Sequence, residues 1–274
     1  MTEKTRGTML TSSAVIISLA TFVIGFVCGG MVAEHRAVRQ EKRLAAVDTL
    51  SGVDSSAAFP DEHIRHLRKE AEQHPDNAKL WAELGNACFD AGKAEEAIEA
   101  YQNALRIEPG NADVRTDMGS MYRMKGDPEK AINCYDQVLM AYPDHKNAVF
   151  NKGVTLLLDR EQPEQAVSFW KSVLKKAPDF TLSSGAELKA LVPELLVDAA
   201  FQLESRGRKD PALRAYRQAW TWDENFLPAL IHGAYLLEGM GRSSEAEPLW
   251  KRVLALQPDA TDPAGRFVRD HIVK

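Results

Sequence analysis

The sequence predicts an all-α protein, an α-solenoid of paired helices preceded by one transmembrane helix. Three observations lead to this prediction. A motif of about 34 residues recurs five times between Ala78 and Pro258, proline closes most of the copies, and an uncharged run extends from Met9 to Ala33. Repeats of this length form helical hairpins that bury their apolar faces only by stacking on their neighbours. We therefore expect a stack of hairpins tethered to a membrane.

The amino-terminal region is predicted to anchor the chain. After a short tail at residues 1–8, residues 9–33 carry no charge. As a helix they would span roughly 37 Å, which exceeds the about 30 Å of a hydrocarbon core. The run is longer than the apolar part of a signal peptide, and Met31 and Ala33 fit a cleavage site poorly, so an uncleaved anchor is expected. Residues 34–59 are expected to form a charged stalk and flexible linker.

The charges beside this run do not decide on which side of the membrane the repeat domain lies. Two basic residues precede it, Lys4 and Arg6, and four follow it, Arg36, Arg39, Lys42 and Arg43. This balance favours a cytoplasmic repeat domain. A short basic amino terminus before an apolar run is, however, also typical of an export signal.

The five repeat units share a pattern of small and aromatic residues. They begin at Ala78, Ala112, Lys146, Pro193 and Leu227. The first helix of each carries a small residue, namely Gly85, Gly119, Gly153, Ala200 or Ala234. The second carries an alanine and, four residues later, an aromatic, namely Tyr101, Tyr135, Trp170, Tyr216 or Trp250. The small residue lets the two helices approach closely, and the aromatic side chain fills the gap one turn on.

The regular spacing breaks at two places. Unit three has one extra residue in the turn from Asp159 to Pro163, which a loop tolerates. Residues 181–192 are a larger insertion between units one to three (78–180) and units four and five (193–260). We expect a loop with a short helical piece near residues 186–191, which bends the stack or covers part of its inner face.

Both ends of the array are predicted to be capped. Residues 60–77 end in HPDN, much as the units end in EPGN and YPDH, and are interpreted as a capping half-repeat. Residues 261–274 are interpreted as a carboxyl-terminal capping helix. Such caps hide the last apolar face of a repeat array.

Composition and motifs argue against several classes of function. A net charge of −5 does not suit nucleic-acid binding, and three cysteines exclude a disulfide scaffold. The chain has no phosphate-binding glycine loop, no H-E-x-x-H, no G-x-S-x-G and no C-x-x-C-H. We therefore predict no enzymatic activity, no small-molecule substrate and no cofactor.

One histidine-rich helix face leaves a second interpretation open. His63, His66, Glu70 and His74 follow helical spacing and share one arc, where they could hold a metal ion or haem iron. The other interpretation is a set of solvated side chains beside an apolar stripe. We favour the second, because no residue is identified that would orient metal ligands.

The inner face, which the first helices line, is the predicted binding site. It is polar in units one and two and much more apolar in units three to five. The candidate groove residues are Asn86, Arg123, Phe150, Val154, Leu157, Val197, Phe201, Ile231 and Tyr235. An apolar groove of this kind would take a protein or peptide, such as an amphipathic helix. The alternative is that the insertion or a tight superhelix buries these side chains within the chain.

The repeat columns resemble the tetratricopeptide repeat (TPR), which implies a right-handed TPR superhelix that binds proteins. The stretch from Asn77 to Pro178, including WAELGNACFDAGKAEEAIEAYQNAL, is similar to bacterial membrane-anchored TPR proteins of the cytochrome c maturation group, which act with the haem lyase. The resemblance implies a single-pass protein of the inner membrane with periplasmic repeats. These repeats would hold the carboxyl-terminal helix of an apocytochrome for haem ligation. A general scaffold of envelope or secretion complexes is the alternative, and a metal- or haem-carrying protein a weaker one.

Overall fold

The structure, a computed structural model, describes residues 59–272 and is helical over most of that range. The predicted anchor at residues 9–33 lies outside the described residues. Between residues 59 and 272, no helix is both long and apolar enough to cross a membrane. The helices are α1 (Phe59–Gln73), α2 (Ala78–Asp90), α3 (Ala94–Ile107), α4 (Ala112–Met124), α5 (Pro128–Ala141), α6 (Lys146–Val154), α7 (Pro163–Lys176), α8 (Leu188–Ser205), α9 (Lys209–Trp222), α10 (Leu227–Gly239) and α11 (Ser243–Leu256).

Consecutive helices pair into hairpins, and each hairpin contacts the next. The predicted helical-repeat fold is therefore confirmed for the described residues. The last residue before a first helix, which belongs to the end of the preceding unit, is a polar residue that caps the helix at Asn77 and at His145. Asn77 Oδ1 accepts hydrogen bonds from the backbone N–H groups of Lys79 and Leu80, and His145 Nδ1 accepts one from Ala148 N. These caps satisfy backbone donors that a helix start leaves unpaired.

The close approach predicted for the two helices of a hairpin is confirmed. A Cβ atom built on Gly153 would lie 2.1 Å from Cε2 of Trp170, and one built on Gly85 would lie 2.4 Å from Cε1 of Tyr101. Both aromatic side chains are fully buried. No side chain larger than hydrogen fits at these glycines without a shift of the aromatic ring.

The extra residue of unit three is taken up inside the helix as well as in the turn. Residues Thr155–Asp159 form a π-helical turn that continues α6. In the other units a glycine with positive φ ends the first helix, as at Gly92 with φ 71°. In unit three Glu161 takes that left-handed conformation, with φ 52°. A wider π turn accommodates one additional residue without breaking the helix, as is usual for such insertions.

The insertion forms a closed turn followed directly by a helix, which corrects the prediction of a loop with a separate helical piece. An antiparallel bridge joins Thr181 to Glu187, and α8 begins at Leu188 rather than at Pro193. The first helix of unit four therefore starts five residues early, with Pro193 inside it. Trp222 Nε1 donates to Lys189 O at 3.0 Å. This is the carbonyl that an N–H at position 193 would bond in a regular helix, so the indole replaces the donor that proline lacks.

Within the predicted carboxyl-terminal capping helix, residues 261–274, the described residues up to 272 do not form an α-helix. This segment repeats the construction of the insertion, with a bridge between Thr261 and Phe267 and then a single 3₁₀ turn, Val268–His271. The carboxylate of Asp262 accepts hydrogen bonds from the backbone N–H groups of Ala264 and Arg266, two and four residues further along the chain. A side chain that bonds its own following backbone favours a turn over a helix.

Candidate functional site

The polar half of the predicted groove is held together by its own hydrogen bonds. The Tyr101 hydroxyl donates to Asn86 Oδ1 at 2.9 Å. In the next unit the Ser120 hydroxyl lies 3.5 Å from that of Tyr135 and accepts a bond from Asn151 Nδ2 at 3.2 Å. Each second-helix tyrosine thus meets a polar residue of the first helix. In this half the inner side chains already satisfy one another.

The remaining predicted residue of the polar half, Arg123, is also paired. Its guanidinium forms an ion pair with the carboxylate of Asp159 at the end of the π turn in unit three. Both side chains are partly exposed, with 28% and 30% of their surfaces accessible. A partner that binds Arg123 would have to compete with this bridge.

Four residues of the predicted apolar groove are buried within the chain, so this part of the site prediction is corrected. Phe150, Val154, Leu157 and Val197 are each between 1% and 7% exposed. The π turn Thr155–Asp159 contacts α5, α7 and α8, which closes the inner side of unit three. Self-burial, the alternative that the sequence left open, holds for these four side chains.

The other three predicted residues remain accessible and lie in units four and five. Phe201 and Ile231 are partly buried, and Tyr235 is 38% exposed. The Phe201 ring packs edge-on against the rings of His232 and Tyr216, with centroids 4.5 Å and 5.9 Å away. We call Phe201, Tyr216 and His232 the aromatic cluster. The predicted binding groove is therefore limited to the inner face of units four and five, and it stays a prediction there.

The aromatic cluster lacks the hydrogen bond that the earlier units make. Phe201 occupies the repeat position of Asn86 and Ser120 but has no polar atom, and the Tyr216 hydroxyl is buried without a hydrogen-bond partner among the described residues. The same is true of Trp170 Nε1 in unit three. An unpaired buried polar group costs free energy, and units three and four each contain one such group in the described residues.

Two carboxylates beside the cluster were missed in the sequence. Burial raises the pKa of Asp198, and Glu194 raises it further. Burial raises the pKa of Glu204 to about 7, although Lys209 acts in the opposite direction. The available signal was their spacing, since both lie three residues from Phe201 on α8.

The two ionisable rings of the cluster, His232 and Tyr216, are neutral at physiological pH. Burial lowers the pKa of His232 to about 4. Burial raises the pKa of Tyr216, and the carboxylates Glu204 and Asp198 raise it further. The site therefore combines apolar rings, uncharged polar atoms and two carboxyl groups.

The histidine face does not assemble a metal site. His66 Nδ1 lies 3.3 Å from Glu70 Oε2, and both side chains are well exposed. His74 follows the last residue of α1. Within the range 59–272, no three His, Cys, Asp or Glu side chains are grouped to hold a metal ion. The set of four, which includes His63, is therefore not brought together as a ligand set.

Comparison with known proteins identifies the first half of the array. Residues 64–180 match the family described as the cytochrome c-type biogenesis protein H TPR domain. This match supports a TPR protein of the cytochrome c biogenesis type. TPR proteins bind peptides or proteins, so the chain is a TPR protein-binding scaffold. The match ends where the insertion begins, and the aromatic cluster lies beyond it.

Solved structures of other TPR proteins resemble this chain more distantly. YrrB, described as a TPR protein with an unusual peptide-binding site, is 18% identical, with 70% of this chain and 93% of that chain covered and a TM-score of 0.43. For MamA from Desulfovibrio magneticus RS-1 the identity is 20%, the coverage 66% and 95%, and the TM-score 0.42. For Pseudomonas aeruginosa pilF these values are 20%, 73% and 86%, and 0.40. No curated protein matches this chain.

Proposed function

We propose that this TPR protein is a non-catalytic, membrane-tethered scaffold that holds an apocytochrome c for haem ligation. The observation that carries the proposal is the match of residues 64–180 to the TPR domain of a cytochrome c biogenesis protein. Haem attachment requires the unfolded cytochrome to be kept accessible to the ligation machinery. A repeat array that grips one segment and leaves the rest of the chain free meets that requirement.

The geometry of units four and five supports binding of an amphipathic helix. Tyr235 and Ile231 lie one turn apart on α10 and, with Phe201 on α8, give an accessible apolar strip on the inner face. An amphipathic helix places apolar side chains at the same spacing along one stripe. The helix would lie along the first helices of units four and five.

The uncharged run at residues 9–33 supports the tether and its location. We propose that it spans the inner membrane once and that the repeats face the periplasm, where cytochrome c is assembled. Fusing alkaline phosphatase, which is active only outside the cytoplasm, after Lys274 tests the orientation. An inactive fusion, together with an active cytoplasmic reporter at the same place, would contradict the periplasmic assignment.

Binding can be measured with the full chain in mild detergent. The probe is a fluorescent peptide containing the carboxyl-terminal helix of an apocytochrome c from the same organism, and a peptide from the haem-attachment segment serves for comparison. We expect the helix peptide to bind more tightly. Tyr235→Asp should weaken binding by about tenfold or more, because it puts a charge into the apolar strip.

A matched variant tests whether the loss of binding is specific to a substitution on the inner face. Met140 is 83% exposed on α5, a second helix, so Met140→Asp makes a comparable apolar-to-acid change on the outer side. It should leave the affinity unchanged. If the helix peptide does not bind, or if both substitutions weaken it equally, presentation of an apocytochrome by this groove is wrong.

A further inference from the structure

We propose that the inner face of unit four recognises a cationic segment of its partner, in which an apolar side chain lies on Phe201 and basic side chains lie against Asp198 and Glu204. The proposal rests on the protein-binding function above and adds the chemical class of the segment. The site falls outside the range that matches the biogenesis family.

The two carboxylates flank Phe201 on the surface of α8. Asp198 lies three residues before it and Glu204 three residues after it, so each lies about 60° from Phe201 around the helix axis. Asp198 occupies the repeat position of Asn151 and His232, each of which contacts the preceding unit. It therefore lies on the side of Phe201 that faces unit three. Glu204 lies on the opposite side.

Neither carboxylate forms an ion pair with a basic side chain in the part of the chain that the structure describes. Both side chains are partly buried, and neither forms an ion pair or a hydrogen bond with another described side chain. Lys209 is the basic residue that acts on Glu204, and it does not offset the effect of burial. Half-buried carboxylates without a partner are costly, and a cation supplied from outside would relieve that cost.

The Tyr216 hydroxyl is an independent sign of a missing partner at the same place. It is fully buried and has no hydrogen-bond partner among the described residues. Burial raises its pKa, and both carboxylates, Glu204 and Asp198, raise it further. In unit one the equivalent hydroxyl, that of Tyr101, is bonded to Asn86. A phenolic oxygen accepts hydrogen bonds from ammonium or guanidinium groups, as carboxylates do.

The surrounding charges favour a cation over an anion. Glu194 lies on α8 near Asp198 and adds negative charge, while His232 is neutral at pH 7 because burial lowers its pKa to about 4. Arg208, close to the end of α8, is engaged with Glu161 at 2.6 Å. An anionic segment would meet the like charges of Asp198, Glu194 and Glu204.

The test uses two designed amphipathic helical peptides of about 18 residues, long enough to form helix on a surface. Both have the same leucine stripe, and their polar face carries lysine in one and glutamate in the other. Affinity for the full chain is measured by fluorescence anisotropy at low and at physiological salt. We expect the lysine peptide to bind at least about tenfold more tightly, with a preference that shrinks as salt increases.

The variant Asp198→Asn with Glu204→Gln should remove this preference while retaining the shape of the site. The matched control is Glu247→Gln with Asp259→Asn, which removes the same charge from exposed positions at the carboxyl-terminal, outer side of unit five. The control should keep the preference. Circular dichroism shows whether each variant is folded, and the salt titration of the unaltered chain tests the proposal without any variant.

The outcomes separate this proposal from the one on which it rests. Equal binding of the two peptides, binding of neither, or a preference that survives the double substitution overturns the cationic site. An apocytochrome helix that binds but ignores the double substitution overturns the cationic site alone. A lysine preference abolished by that substitution, with no binding of the apocytochrome helix, supports the site and overturns the apocytochrome function.

Discussion

Replacing tyrosine by phenylalanine at equivalent positions of two second helices should change the stability of the fold in opposite directions. Tyr101→Phe and Tyr216→Phe each remove a single buried hydroxyl and leave the ring in place. The Tyr101 hydroxyl donates to Asn86 Oδ1 at 2.9 Å, whereas that of Tyr216 has no hydrogen-bond partner among the described residues. The first substitution breaks a bond, and the second removes an unpaired polar group.

The size of the difference follows from hydrogen-bond energetics. Losing the Tyr101 bond and leaving the Asn86 carbonyl unpaired should destabilise the fold by about 1 to 2 kcal/mol. Removing the Tyr216 hydroxyl relieves its desolvation cost and should stabilise the fold by up to about 1 kcal/mol. The two variants should then differ by about 1 to 3 kcal/mol, or about 2 to 12 °C in Tm for an array of about 200 residues.

The assay is thermal unfolding of the full chain followed by far-ultraviolet circular dichroism. Tyr135→Phe is the internal reference, because its hydroxyl lies 3.5 Å from that of Ser120 and should give an intermediate effect. If Tyr216→Phe lowers Tm as much as Tyr101→Phe does, the Tyr216 hydroxyl has a partner. The contrast between satisfied and unsatisfied units would then be wrong.

Three further predictions concern packing, pH and the carboxyl-terminal turn. Gly153→Ala should destabilise the fold by about 1 to 3 kcal/mol in chemical denaturation, because the new Cβ would lie 2.1 Å from the Trp170 ring. Gly239→Ala is the control. A Cβ at that position has no atom within 4 Å, so this variant should be neutral or stabilising. Because burial raises the pKa of Glu204 from 4.5 to about 7, its protonated form is favoured in the fold, and that stability is lost as pH rises through this range. Glu204→Gln should therefore gain more stability relative to the parent chain at about pH 8 than at about pH 4. Asp262→Ala should cost about 2 to 4 kcal/mol, since this buried carboxylate accepts two backbone N–H bonds, and an unchanged denaturation midpoint would contradict that role.

The helical hairpins could be predicted from sequence because their determinants are local. Gly85 and Tyr101 must be a set number of residues apart for the ring to cover the glycine, and the same spacing recurs in every unit but the third, which has one extra residue. Asn77 starts a helix by bonding backbone groups two and three residues away. Such relations lie within a single repeat, so five copies make them visible in one sequence.

The burial of Phe150, Val154 and Val197 could not be predicted because it depends on how unit four stacks on unit three. That contact joins residues far apart in the chain, since α8, which begins at Leu188, packs against the π turn Thr155–Asp159 of unit three. The periodic pattern shows that a side chain lies on the inner side of its helix. It does not show whether the neighbouring unit covers it.

The division of the inner face explains why the binding site should lie in units four and five. In units one and two the polar groups satisfy one another, as Asn86 does with Tyr101, and a partner gains little by replacing these bonds. In unit four the carboxylate of Glu204 lies beside a partly exposed aromatic ring and forms no ion pair among the described residues, so a bound cation can pair with it without breaking an existing bridge. The residues that choose the partner then lie outside the range 64–180 that identifies the domain. Two proteins that share this domain type could therefore bind different segments, because the match does not extend to the residues of unit four.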